Sequence, residues 1–153
     1  MHSSAVPSPG EKPALRDIGW LVRYAVQGLW RLVRAAIAFR AFVASDIVGR
    51  NKNTMALPIA QSDEETAHIA RIAYVLPRIS RRLPWRSDCL VQAMAGQDWL
   101  AASKLASELQ IGVEKPEHGE FAAHAWLVHD GNIVTGGDIS RYAPILASNR
   151  QTG

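Results

Sequence analysis

The sequence predicts an α+β fold, with helices in the first two thirds and a small antiparallel sheet at the end. Three observations carry this. Apolar residues recur at helical spacing from Ile18 onward, two later segments open on helix-capping residues, and the apolar period changes to two after Gln110. The stretch FAAHAWLVHDGNIVTGGD, residues 121–138, then reads as two strands joined at Asp130-Gly131. Helices followed by strands, rather than alternating with them, point to segregated layers.

The elements follow in order. Residues 1–14, rich in Ser, Pro and Gly, read as a disordered arm and lack the apolar core and cleavage site of a secretory signal. From Ile18 to Val48 the pattern is helical, but Arg23, Arg31, Arg34 and Arg40 break it before any run reaches the ~18 apolar residues of a membrane span. On a helix, Arg16, Arg23, Gln27, Arg31 and Arg34 gather on one side, with Leu21, Ala25, Leu29, Leu32 and Ile37 elsewhere. That side is either a solvated basic edge or a docking face for an acidic peptide, a partner protein or a membrane surface. GRNKNTMALPIAQSD breaks the period and reads as a loop, so residues 15–60 form the N-terminal helix and its connection. Ser62 and Glu65 have capping-box spacing before a helix with Ile69, Ile72, Leu76 and Ile79 on one face, which Pro77 should kink or end early. Ser87 or Asp88 is suited to cap a third helix from about Cys89 to Leu109. IGVEK then reads as a strand and PEHGE as a turn, and residues 148–153 as a frayed tail.

At 153 residues the chain has about one domain's worth of core. Its single cysteine cannot form an internal disulfide, so nothing suggests an oxidising compartment and a cytoplasmic location is expected. A net charge of +3 is too small to indicate nucleic-acid binding.

Cys89 is the first candidate for chemistry. In the first turn of a capped helix, free N–H groups and the helix dipole favour an anion, so the sulfur can be a nucleophilic thiolate as well as a small buried side chain. The Cys89 N–H could also donate to a developing oxyanion. A thiolate needs a base. His2 lies in the arm, His68 in the second helix and His118 in a turn, whereas His124 and His129 are in the first strand of the hairpin. Five residues apart, those two point to opposite faces, which argues against a shared metal, and no cofactor is implied. The third member should hold the imidazole by its other nitrogen. A three-residue loop, Asp130-Gly131-Asn132, pairs His129 with Ile133 and brings Asp138 opposite His124; a two-residue loop pairs His124 with Gly137 instead. Asp138 is the expectation, and a one-residue slip would disqualify it.

LPWRSDCLVQAMA followed by IGVEK, FAAHAWLVHDG, VTGGD and RYAPIL resembles the transglutaminase-like cysteine peptidases that process lasso-peptide precursors. The match runs from about Arg71 to Leu146 and centres on Pro84, Trp85, Cys89 and Leu90 and on Ala123 to Trp126. The resemblance implies a transglutaminase-like, papain-like core over residues 61–147, with Cys89 as nucleophile, His124 as base and acid, and Asp138 as orienting group. The family often places its acidic residue about two positions nearer the histidine, where this chain has Gly136. The Trp85 indole is a second oxyanion candidate, packing its alternative role. The implied activity removes the leader peptide before an ATP-dependent cyclase closes the macrolactam. Helices where a leader-recognition module would sit imply a stand-alone form with a separate recognition protein as partner. Acyl transfer to an amine, and a non-enzymatic adaptor binding a leader or a membrane, are the alternatives.

Overall fold

The computed structural model describes residues 14–41, 49–51, 62–84, 88–114 and 122–146. Among the described residues, a 3₁₀ turn, Leu15–Asp17, leads into the long helices α1, Ile18–Phe39; α2, Asp63–Ser80; and α3, Cys89–Ala102. Four strands follow: β1, Glu108–Glu114; β2, Ala122–His129; β3, Asn132–Thr135; and β4, Ala143–Leu146. They form one antiparallel sheet in the order β3-β2-β1-β4. The expected α+β order is present.

α3 organises the molecule because its sequence is apolar nearly all round. Val91, Ala93, Met94, Ala95, Gly96, Trp99 and Leu100 are all buried, as a helix packed on several sides requires. It contacts α1 and α2 as well as β1, β2 and β3. Trp99, Leu100 and Met94 meet Leu32 of α1, Ile72 and Leu76 of α2, and Leu109 and Leu127 of the sheet in one core. Gly96 permits the closest approach, since a Cβ there would stand 2.8 Å from Leu127 Cδ2. The register of β2 against α3, and hence the position of His124 relative to Cys89, rests on that contact.

α1 buries Tyr24, Gly28, Leu32 and Ala35, while Val22, Val26, Trp30 and Ile37 are more than half exposed. Its arginine side is not simply solvated. Arg31 donates to the Asp98 carbonyl at 3.1 Å and lies over the Trp99 ring, and burial lowers its pKa first, with Asp98 acting against that. No described helix is long and apolar enough to cross a membrane.

Several boundaries depart from the sequence reading, among them the end of α1 at Phe39 and the start of β1 at Glu108. Pro77 does not end α2, which continues to Ser80. The proline sits in the final turn, where its missing N–H leaves only the bond to Ala73 unmade, and Arg78 Nη1 donates to the Tyr74 carbonyl beside it at 2.8 Å. α3 stops at Ala102 rather than Leu109 because Lys104 adopts φ 59°. Leu105 N–H then reaches back to Leu100 O and Lys104 N–H to Ala101 O, both at 2.9 Å, closing a Schellman motif without the usual glycine. Residues 50–51, read as loop, are helical and clamp α3 to β1. Asn51 takes the Leu109 N–H and donates to the Leu109 carbonyl, while Gln97 donates to Asn51 and Arg50 donates to Gln97, Met94 O and Asp98.

The hairpin reaches the register expected of it by another route, and its ladder stops short of Asp138. Its loop has two residues, Asp130 and Gly131, both at positive φ, so His129 pairs with Asn132 and Val128 with Ile133. A bulge then shifts the ladder and pairs Leu127 with Thr135. Gly136 and Gly137, also at positive φ, follow the end of β3. Asp138 therefore has no ladder position opposite His124.

Candidate active site

Cys89 is the first residue of α3, with Asp88 at the N-cap in extended conformation. The Asp88 side chain makes no capping hydrogen bond, and Cys89's own N–H is one of the donors that a helix start leaves without an intrahelical partner. The cysteine is half-buried. Its Sγ accepts a hydrogen bond from the Ala125 N–H at 3.3 Å, a cross-link between the head of α3 and the middle of β2. Since Ala125 N is one peptide bond from His124, the sulfur lies within about 6 Å of the His124 Cα. A main-chain donor aimed at sulfur, added to the helix N-terminus, stabilises negative charge there.

His124 is half-buried, and its Nε2 lies 2.7 Å from the Gly136 carbonyl oxygen. A carbonyl only accepts, so Nε2 carries the proton and donates, leaving Nδ1 with its lone pair in the neutral ring. The ring stacks on Tyr142, centroids 4.8 Å apart, and less closely on Trp126 at 6.2 Å. Trp126 is buried and donates from Nε1 to Gln110 Oε1 at 2.8 Å, which makes it a fixed wall. Gly136 can hold this position only as glycine: its φ is +118°, and a Cβ would stand 2.3 Å from Trp126 Cβ.

His124 and Asp138, expected to pair, are not hydrogen-bonded to each other. Asp138 is fully exposed, and its Oδ1 accepts from the Ser140 N–H at 2.9 Å in a local turn. That bond holds its carboxyl below the usual range. β3 ends at Thr135 and Gly136 and Gly137 follow at positive φ, so the ladder stops before Asp138 and a main-chain carbonyl is the group bonded to His124 Nε2. Trp85 and Ser87 lie outside the described residues, as do His2 and His118. His129 is buried and donates from Nδ1 to the Ala106 carbonyl, a structural role on the face opposite His124. His68 lies elsewhere, between Tyr24 and Ser103.

Cys89 and His124 open into one cavity of about 750 Å³ between α2 and the hairpin. Ala70, Ala73 and Pro77 form one wall, Ile133 and Val134 the other, and Arg78 and Arg81 add positive charge. Such a cleft can hold an extended chain with its carbonyl against the thiol. The sequence reading missed Ala125, Gly136 and Tyr142. The first two act through main-chain atoms and carry no side-chain signal, although the paired glycines at 136–137 marked a special backbone. Among the described residues, no three His, Cys, Asp or Glu side chains are grouped to hold a metal ion.

Residues 29–147 match the family described as the Transglutaminase-like superfamily, which takes in the second half of α1 and every later element described. No curated protein and no solved structure is similar enough to the chain to count as a match.

Proposed function

The chain belongs to the transglutaminase-like superfamily, whose activities are of the cysteine-peptidase or acyltransferase type, and on that premise we propose that it is a cysteine peptidase that removes the leader from a ribosomally made lasso-peptide precursor. The observation that carries the chemistry is the Ala125 N–H on Cys89 Sγ, which joins the thiol to the residue following His124. The narrower substrate assignment is supported by the Pro84, Trp85, Cys89 and Leu90 element and the Ala-His-Ala-Trp strand, residues 123–126.

In this reading, the Cys89 thiol proton passes to His124 Nδ1 as Sγ attacks the scissile carbonyl. Negative charge on the carbonyl oxygen falls to the Cys89 N–H and the positive end of α3. His124 returns the proton to the leaving amine, the C–N bond breaks, and a thioester remains on Cys89. Water, losing a proton to His124, then adds to the thioester carbonyl and releases the free acid and the thiol. Throughout, the Gly136 carbonyl fixes the tautomer and angle of the ring, and Tyr142 limits its tilt. A carbonyl has only a partial charge, so it stabilises the imidazolium less than a carboxylate would.

The partners are the precursor, a separate leader-recognition protein and the ATP-dependent macrolactam cyclase; the exposed apolar residues of α1 provide for peripheral membrane contact. The test is to incubate the protein and the recognition protein with precursor, with and without a primary amine, and weigh the products. Leader and core fragments whose masses sum to precursor plus water support hydrolysis. Amine adducts in place of the free acid would make it an acyltransferase, and intact precursor in both arms would reject the activity.

A further inference from the structure

A second cavity of about 720 Å³ lies between α1, the start of α2 and the turn after α3, lined by different residues from those around Cys89. Trp20, Arg23 and Tyr24 line it from α1, and Glu64, His68 and Arg71 from α2. The Arg71 guanidinium sits over the Trp20 and Tyr24 rings, 5.5 and 5.8 Å from their centroids. Its Nε is buried without a hydrogen-bond partner. A guanidinium donor removed from water and left unpaired is costly, and proteins ordinarily satisfy it. No ion pair joins Arg71 or Arg23 to Glu64, and the Glu65 carboxylate is taken by the Ser62 N–H at 2.9 Å.

His68 reports the same imbalance. Tyr24 Oη meets its Nδ1 at 2.6 Å and Ser103 Oγ its Nε2 at 2.9 Å. Burial first, then Arg71, Arg31 and Arg23, hold its pKa below the ordinary value. The ring is therefore uncharged at neutral pH, and the positive field around it comes from arginines facing it on both α1 and α2.

We propose that this cavity binds a carboxylate, that of an acidic side chain in a peptide, with Arg71 and Arg23 as its charge partners and Trp20 and Tyr24 as its walls. The guanidinium fork matches a planar carboxylate. Glu64 and Glu65 also line the cavity, and two carboxylates there repel a phosphate dianion more than a single carboxylate. The aromatic walls suit the apolar stem of a glutamate and its neighbouring peptide groups. The site is separate from the thiol and does not depend on what Cys89 does.

The test follows the imidazole resonances of His68, assigned by their loss in His68→Gln, on the full chain carrying Cys89→Ser. The probes are acetyl-Gly-Glu-Gly-amide, its Gln counterpart, acetate and inorganic phosphate. The Glu peptide should shift the His68 signals saturably, the Gln peptide should not, and acetate and phosphate should bind at least about tenfold more weakly. Arg71→Gln and, independently, the exposed Arg23→Gln should each weaken the Glu peptide by about tenfold or more, while Arg40→Gln, outside the cavity, should leave it unchanged. Equal binding of the two peptides, no saturable shift, a preference for phosphate or acetate, or an equal loss in Arg40→Gln would each overturn the assignment.

Discussion

Replacing Gly136 by alanine tests the arrangement at the point where backbone and site meet. The residue has φ +118°, outside the region open to L side chains, and its added Cβ would lie 2.3 Å from Trp126 Cβ and 3.0 Å from Trp126 Cα. Trp126 cannot give way, being 1% exposed and hydrogen-bonded through its indole to Gln110. Backbone strain of this kind costs about 1–3 kcal/mol and overpacking about 1–3 kcal/mol, so the variant should lose about 2–6 kcal/mol. That is a large part of the ~5–15 kcal/mol by which a domain is stable. Gly137→Ala is the control: φ is +68°, nothing lies within 4 Å of the new Cβ, and only strain of about 1 kcal/mol is expected. Urea unfolding of both variants gives the difference. Where Gly136→Ala folds, the strand must retreat from Trp126 and carry its carbonyl off His124 Nε2, so cleavage should fall as well. Equal stability losses in the two variants, with cleavage intact, would refute the close approach and the role given to the carbonyl.

Asp138→Asn should leave cleavage within about threefold of the parent, because the carboxylate is exposed and bonded to Ser140 rather than to His124; steady-state rates check this, and a loss on the ~10⁴-fold scale of a triad aspartate would restore it to the site. Asn51→Ala removes partners from the Leu109 N–H and carbonyl and from buried Gln97, so urea unfolding should show a loss of about 2–4 kcal/mol. His68 has a lowered folded-state pKa, so the stability linked to its neutral form is present above its ordinary value of 6.5 and lost as pH falls through the folded value. Thermal midpoints measured across that acidic window should fall more steeply in the parent than in His68→Gln.

Much of this was legible in the residues. The capping box at Ser62 and Glu65 forms as its spacing implied, with Ser62 Oγ taking the Glu65 N–H and Glu65 returning to the Ser62 N–H. Cys89 stands at the head of its helix and His124 in mid-strand because capping preference and two-residue alternation are local properties. What escaped was non-local or carried by the main chain. Lys104 ends α3 in a conformation that sequence assigns to glycine, with the Lys104 and Leu105 N–H groups bonded back to Ala101 and Leu100. Asn51 and Arg50 look like loop residues until their partners on α3 and β1, far along the chain, are seen. The bulge between Leu127 and Val128 shifts the hairpin by one position, and no pattern of side chains announces it. A histidine held by a carbonyl leaves no acidic residue to find, whereas the hairpin spacing places an aspartate, Asp138, opposite it.

The most direct measurement is the rate at which Cys89 is alkylated by iodoacetamide at neutral pH in the parent and in His124→Ala, with Cys89→Ala as the blank. If the thiol at the start of α3 is activated by the imidazole on β2, the parent reacts fast and His124→Ala falls by about tenfold or more toward an ordinary thiol. Equal rates in the two proteins would contradict it, and with it the pairing of Cys89 and His124 as one reacting unit.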